Sequence, residues 1–395
     1  MAGIAVGLDL VGEKGDELGL KESRIGLLCN QASVDSRVRP APMVISKAFP
    51  GRLKALFSPQ HGLGGEDQDN MVETDHSYHH TYEVPIFSLY ADERAPRPWM
   101  LEQIDVLIVD LQDVGTRVYT FASTLLECLK AVSRAGKRIL VLDRPNPLGG
   151  KVVEGNLLLP DFYSFVGPYR LPMRHGLTMA EMAVVFNRAF NLEAELDVIL
   201  MRGWGRWMEW EDTGLRWVMP SPNMPSVETA RVYPGQVIWE GTNVSEGRGT
   251  CRPFELFGAP FLDPAGLVDK LPPRAVNGCL LQEFSFRPTF HKWEGQMCKG
   301  LFIHVLDRWE FRPYTTTLAL LGAVIKEHGG RFEWRDPPYE YVYDRLPVDV
   351  ILGDDKIRTA LEAGADPLEI SDACTKDLQD FLEQREPDLL YPPER

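Results

Sequence analysis

Residues 104–144 read IDVLIVDLQDVGTRVYTFASTLLECLKAVSRAGKRILVLDR. The apolar run over 104–111 is the pattern of a strand buried on both faces, and it finishes on Asp110, with Asp113 just beyond. Residues 121–135 place their apolar side chains at helical spacing, and Gly136 closes that helix. Arg138 to Leu142 is the next strand, which stops at Asp143-Arg144-Pro145-Asn146-Pro147 because two prolines forbid continuation. Strand, helix and strand in this order make one unit of a parallel sheet with a crossover helix.

The same grammar extends outward. Ile25 to Cys29 is a strand that ends at Asn30-Gln31, and Leu53 to Phe57 is another that ends at Ser58-Pro59. Thr178 to Phe190 reads as a helix, with Thr178 as N-cap and Glu181 three residues on, the spacing of a capping box. Leu196 to Met201 is one more strand. In an open α/β sheet, ligands gather at the carboxyl ends of the strands. The polar clusters Asn30-Gln31, Pro59-Gln60-His61, Asp110 with Asp113, and Asp143 all fall there, which makes them one candidate site. From residue 203 the texture changes to a Trp- and Gly-rich loop, and Pro220-Ser-Pro-Asn223-Met-Pro225 reads as a rigid linker. The expected organisation is a mostly parallel α/β domain over residues 1–228 and a smaller α+β domain over 229–395, with the active cleft between them. The second domain is expected to hold a strand near 299–306, a helix near 314–327 and an acidic tail helix near 371–384.

Composition narrows the function classes. A net charge of −15 argues against a nucleic-acid or anionic-membrane partner, because phosphate surfaces select basic faces. No run approaches the ~18 apolar residues of a membrane span, and the first residues lack the pattern of a secretory signal, so the expected location is the cytoplasm. The six cysteines are dispersed without a C-x-x-C pair and read as reduced, structural thiols. Asp75, His76, His79 and His80 lack a ligand spacing, so no metal is expected. P-loop, dinucleotide-turn, nucleophile-elbow and H-E-x-x-H signatures are absent, and no cofactor is expected.

Several stretches carry candidate chemistry. FSPQHGLGGE at 57–66 pairs a glycine-rich turn with the titratable groups His61 and Glu66. DLQDVGTRVYT at 110–120 offers Asp110, Asp113 and Arg117, either as polar-ligand contacts or as a structural ion pair. LDRPNPLGG at 142–150 places Asp143 in a shaped loop. VYPGQVIWEGTNVSEGRGT at 232–250 sets Glu240 and Glu246 beside Trp239, whose face would stack on a sugar ring, with Arg248 following. Paired carboxylates with an aromatic platform suit glycoside hydrolysis.

These stretches, with PSPNMP at 220–225 and FRPTFHK at 286–292 followed by Gly295 and CKG at 298–300, resemble the exo-β-N-acetylmuramidase family, in order and through nearly the whole chain. The resemblance implies a Rossmann-like first domain, a smaller second domain and a cleft between them. It also implies release of N-acetylmuramic acid, or a related amino sugar, from the non-reducing ends of peptidoglycan fragments, without metal or nucleotide. The family commonly carries a glutamate, a leading candidate for the acid, where this chain has Gln60. A carboxamide transfers no proton, so the acid role passes to Glu66, with His61 nearby, or to Glu240 or Glu246, one of which also supplies the second carboxylate. A 2-acetamido sugar that assists with its own carbonyl would need only one strong protein acid. Asn30, Gln60, Asp110, Asp113, Arg117, Asp143, Asn223 and Arg248 are the expected substrate contacts. Two alternatives stay open: a sugar-binding homologue without turnover, and a hydrolase of another small polar substrate.

Overall fold

The computed structural model describes residues 3–68, 71–91 and 94–392. Among them, the strands of the first half are β1 (Ile25–Cys29), β2 (Leu53–Ser58), β3 (Ser77–His79), β4 (Val84–Ser88), β5 (Val106–Asp110), β6 (Arg138–Leu142), the hairpin pair β7 (Glu154–Leu157) and β8 (Pro172–Arg174), and β9 (Glu195–Ile199). The main sheet has the order β3-β4-β2-β1-β5-β6-β9. Its pairings are parallel, apart from β3, which runs antiparallel to β4 at one edge.

The strand centres are apolar on both faces because both are covered. Leu27, Ile108 and Leu140 join a core with Leu8, Val11, Ala41 and Ile45 of the helices Gly7–Lys14 and Ala41–Ala48. Their neighbours Leu28, Val109 and Val141 face the opposite core, under the helices Phe121–Arg134 and Met179–Ala189. This is the period-two alternation of a strand serving two layers. The capping box at Thr178 forms: Glu181 N–H donates to the Thr178 hydroxyl at 3.2 Å, and Thr178 N–H donates to the Glu181 carboxylate at 3.0 Å.

The second half carries a smaller antiparallel sheet in the order β10 (Leu256–Ala259), β12 (Cys298–Val305), β11 (Cys279–Phe286). Its long helix Pro313–His328 packs on the helix Val227–Gln236. Gly235 permits that approach, since a Cβ there would lie 1.9 Å from the Pro313 carbonyl oxygen. The larger core continues from the first sheet into this half, taking in Trp239, Phe257, Tyr314 and Ile351. The chain's end returns to the first half, where Tyr391 donates to Asp143 Oδ2 at 2.6 Å.

One expectation is corrected here. The 232–250 stretch begins as helix, continues as a 3₁₀ turn over Val237–Gly241, and is buried through most of its length. Pro234 and Gly235 hid the helical pattern from view. Trp239 is wholly buried and stacks on Phe257 with ring centroids 4.9 Å apart, so its face is part of the core and is not a platform for a sugar.

Candidate active site

Sheet topology reverses between β1 and β5, from which successive strands step away in opposite directions. That crevice is closed by the protein itself. Asn30 Nδ2 donates to the Pro220 carbonyl at 2.9 Å, the Ser33 hydroxyl donates to the Asp110 carbonyl, and Arg144 grips both Asp110 oxygens at 2.5 and 2.8 Å. The open pocket lies beside it. Gln60 and His61 after β2 form one wall, and residues 118–121, leading into the helix Phe121–Arg134, form another. Ser221, Asn223 and Met224 of the proline-rich segment, Tyr233, Arg248 and Phe254, and Tyr339 with Glu340 complete it. Its volume, mouth included, is about 480 Å³. Residues on both sides of position 228 therefore build one pocket.

Glu340 is almost wholly buried and lines this pocket. Gln60 Nε2 donates to its Oε1 at 3.3 Å, and the Tyr90 hydroxyl donates to its Oε2 at 2.7 Å. Thr120, at the N-cap position of the helix that follows, turns its hydroxyl to Gln60 Oε1 at 2.7 Å, and this fixes which way the Gln60 amide faces. Burial raises the Glu340 carboxyl above the ordinary glutamate value, against the pull of the Tyr90 and Gln60 hydrogen bonds. Its backbone is unusual too: Glu340 and Tyr341 have φ of +43° and +66°, a left-handed conformation that costs side-chain-bearing residues on the order of 1–3 kcal/mol each.

Behind the pocket wall sits a charge cluster. Arg248 donates to Glu240 Oε1 at 2.7 Å, and the Tyr339 hydroxyl donates to Glu240 Oε2 at 2.6 Å. Glu246 is fully buried and meets Lys292 Nζ at 2.8 Å, Arg248 Nε at 3.3 Å and His291 Nδ1 at 3.6 Å. Burial alone would raise the Glu246 carboxyl, but Lys292, His291 and Arg248 outweigh it and hold the group down at about 2.

Of the expected site residues, Gln60, His61, Asn223 and Arg248 line the pocket. His61 Nδ1 lies 2.7 Å from the Asp67 carbonyl, which can only accept, so this nitrogen carries the hydrogen. Asn223 Nδ2 donates to the Gln68 carbonyl at 3.0 Å. Glu240 and Glu246 stand one layer back. Glu66 is exposed and folds onto its own turn, accepting from Gly64 N–H at 2.9 Å, and it does not line the pocket.

Asn30, Asp110, Asp113, Arg117 and Asp143 also lie outside the pocket lining, bound to the protein itself. Arg117 donates to the carbonyls of Asn156, Leu171, Ile351 and Leu352, tying the two halves together. Asp113 accepts from Gly115 N–H at 2.6 Å and faces His175 at 3.3 Å. Asp143 accepts from Ala180 N–H and Tyr391, and burial pushes its carboxyl up to about 7. Sequence reasoning missed Glu340, Tyr90, Thr120 and Tyr339. The one signal for Glu340 was Pro337-Pro-Tyr-Glu340, a rigid approach to an acidic residue.

The chain matches the family model described as Exo-beta-N-acetylmuramidase NamZ, N-terminal, over residues 25–228, and its C-terminal counterpart over residues 231–391. Peptidoglycan beta-N-acetylmuramidase NamZ of Bacillus subtilis (strain 168) is 39% identical over 372 residues, which cover 94% of this chain and 88% of that protein. A DUF1343 family protein from Bacteroides fragilis superposes with a TM-score of 0.87 at 28% identity, covering 99% of this chain and all of that one. A second such protein from the same organism gives 0.76 at 26% identity, with 99% of each chain covered. Matched in order by both domain models and over most of its length by the Bacillus enzyme, the chain belongs to the exo-β-N-acetylmuramidase NamZ family.

Proposed function

We propose that this protein is a glycoside hydrolase that releases N-acetylmuramic acid, or a closely related amino sugar, from the non-reducing ends of peptidoglycan fragments. Family membership supports the reaction class, and the observation that carries the reading is the pocket itself. Among the described residues its wall mixes hydroxyls, amides and aromatic edges with one guanidinium, Arg248, and one carboxyl, Glu340. In this reading Gln60, His61 and Asn223 contact sugar hydroxyls or the acetamido group, and Arg248 faces the lactyl carboxylate. Asn30, Asp110, Asp113, Arg117 and Asp143 shape the pocket from behind. All six cysteines are free and five are buried, which supports work in a reducing compartment on recycled wall fragments.

Purified protein should release the aryl group from an aryl β-N-acetylmuramide and N-acetylmuramic acid from muropeptides with a terminal N-acetylmuramyl residue. A sugar-binding role without turnover is the second reading, favoured by the carboxamide at Gln60. Thermal stabilisation by N-acetylmuramic acid, with no hydrolysis of either substrate, would select it.

A further inference from the structure

We propose that Glu340 is the proton donor of this site, steered by the hydrogen bond it accepts from Gln60. This rests on the glycosidase reading above and deepens it. The argument is one of placement. Among the described residues that line the pocket, Glu340 is the one carboxyl, since Gln60 offers an amide and His61 an imidazole. Glu240 is engaged by Arg248 and Tyr339, and Glu246 by Lys292, Arg248 and His291, so the oxygens of both are committed to partners within the protein. Glu66 lies on an exposed turn outside the lining.

Glu340, by contrast, meets neutral hydrogen-bond donors at both oxygens. Its Oε2 takes the short bond from Tyr90, while Oε1 has the longer 3.3 Å contact to Gln60, so Oε1 is the less tightly held oxygen and the one placed to pass a proton. Gln60 gains a definite task in this arrangement. With its carbonyl held by Thr120, its NH₂ must face Glu340, where it steers the acid without adding charge. The groups that act on the Glu340 carboxyl are Tyr90 and Gln60 by hydrogen bond and Glu240 and Arg94 by charge; Tyr341 packs on Tyr90 and Arg94, and Tyr339, His61 and Arg248 line the same pocket. Burial and the Glu240 charge raise its carboxyl, the hydrogen bonds and Arg94 oppose them, and burial prevails. A carboxyl raised above the ordinary glutamate value is shifted in the direction a general acid requires.

The step balances without any other reagent than water. As the C1–O bond breaks, its electron pair stays on the leaving oxygen, which takes the Glu340 proton and departs as an alcohol. The hydroxyl of a water molecule ends on C1, and the proton that water gives up restores Glu340.

The test compares wild type with Glu340→Gln on aryl β-N-acetylmuramides whose phenols span a wide range of acidity. We expect Glu340→Gln to lose about 10²–10⁴-fold in kcat/KM on the least acidic phenol and on a disaccharide, but little on dinitrophenyl, which needs no proton. The alkaline limb of the wild-type pH profile should vanish in the variant. Infrared difference spectra with labelled glutamate should show a protonated carboxyl near neutral pH in wild type that is missing from Glu340→Gln. An equal loss on every leaving group, or no protonated carboxyl assignable to Glu340, would overturn the assignment while wild-type turnover kept the glycosidase reading intact. Failure of wild type to hydrolyse any muramide would overturn both.

Discussion

Replacing Lys292 by methionine removes an ammonium whose three N–H donors are matched by Glu246 Oε2 at 2.8 Å and the carbonyls of Trp239 and Val244 at 2.7 and 3.0 Å. Methionine has similar length but neither charge nor donors, so the variant leaves Glu246 without its ammonium and the Trp239 and Val244 carbonyls without a partner. The gap between the ordinary glutamate value of 4.5 and the value of about 2 held in the fold corresponds to about 3 kcal/mol at neutral pH. Because the folded-state value is depressed, that stabilisation is complete above about pH 4.5 and is lost as pH falls through 2. Burial pulls Lys292 below its own ordinary value despite Glu246, which offsets part of the gain. Removing one partner of a buried pair costs roughly 3–5 kcal/mol, since the remaining charge is left uncompensated. Arg248 and His291 still face Glu246, so the lower end, about 3 kcal/mol, is expected. The double variant Lys292→Met with Glu246→Gln should recover at least half of that loss, because neither charge then remains buried alone. Urea unfolding followed by tryptophan fluorescence at pH 7 measures all three proteins, with unchanged m-values expected. A single variant within about 1 kcal/mol of wild type, or a double variant no more stable than the single, would refute the reasoning.

Other outcomes follow from the same geometry. Asp143 has its carboxyl raised from 3.8 to about 7, so the native state holds a proton that the unfolded chain has lost. Stability should fall by about 3 kcal/mol as pH rises from 4 to 7, and Asp143→Asn should flatten that slope in thermal melts across the range. Arg117→Met should destabilise by about 3 kcal/mol or more, from four carbonyls left without their donor, while KM at permissive temperature stays within about twofold. A KM raised tenfold would instead place Arg117 in contact with substrate. Trp239→Ala should cost about 3–5 kcal/mol as a core truncation, with muramide affinity changed little in whatever folded protein is recovered.

The sequence by itself determined the central sheet. Ile25–Cys29, Leu53–Phe57, 104–111 and Arg138–Leu142 were legible because a strand buried on both faces must be apolar throughout, and each ends at a polar or proline-bearing turn. The Thr178 capping box was legible because both partners lie within one turn of helix. Gln60, His61, Asn223 and Arg248 were found by motif and line the pocket. Tertiary structure alone decided which polar strand ends stay open. Asn30, Asp110 and Asp143 sit where a ligand would, yet their partners, Pro220, Arg144 and Tyr391, come from elsewhere in the chain and consume them. Arg117 reads as an ion pair for Asp113 four residues before it, but it reaches carbonyls at 351 and 352. Trp239 looked like a platform until the small sheet laid Phe257 against it. Glu340 is separated from Gln60 by 280 residues, and no local pattern records a contact made across the two halves of a fold. Local sequence carries periodicity and capping, whereas desolvation and charge pairing depend on which distant groups arrive, and these decide whether a carboxyl is an acid, an ion or a strut.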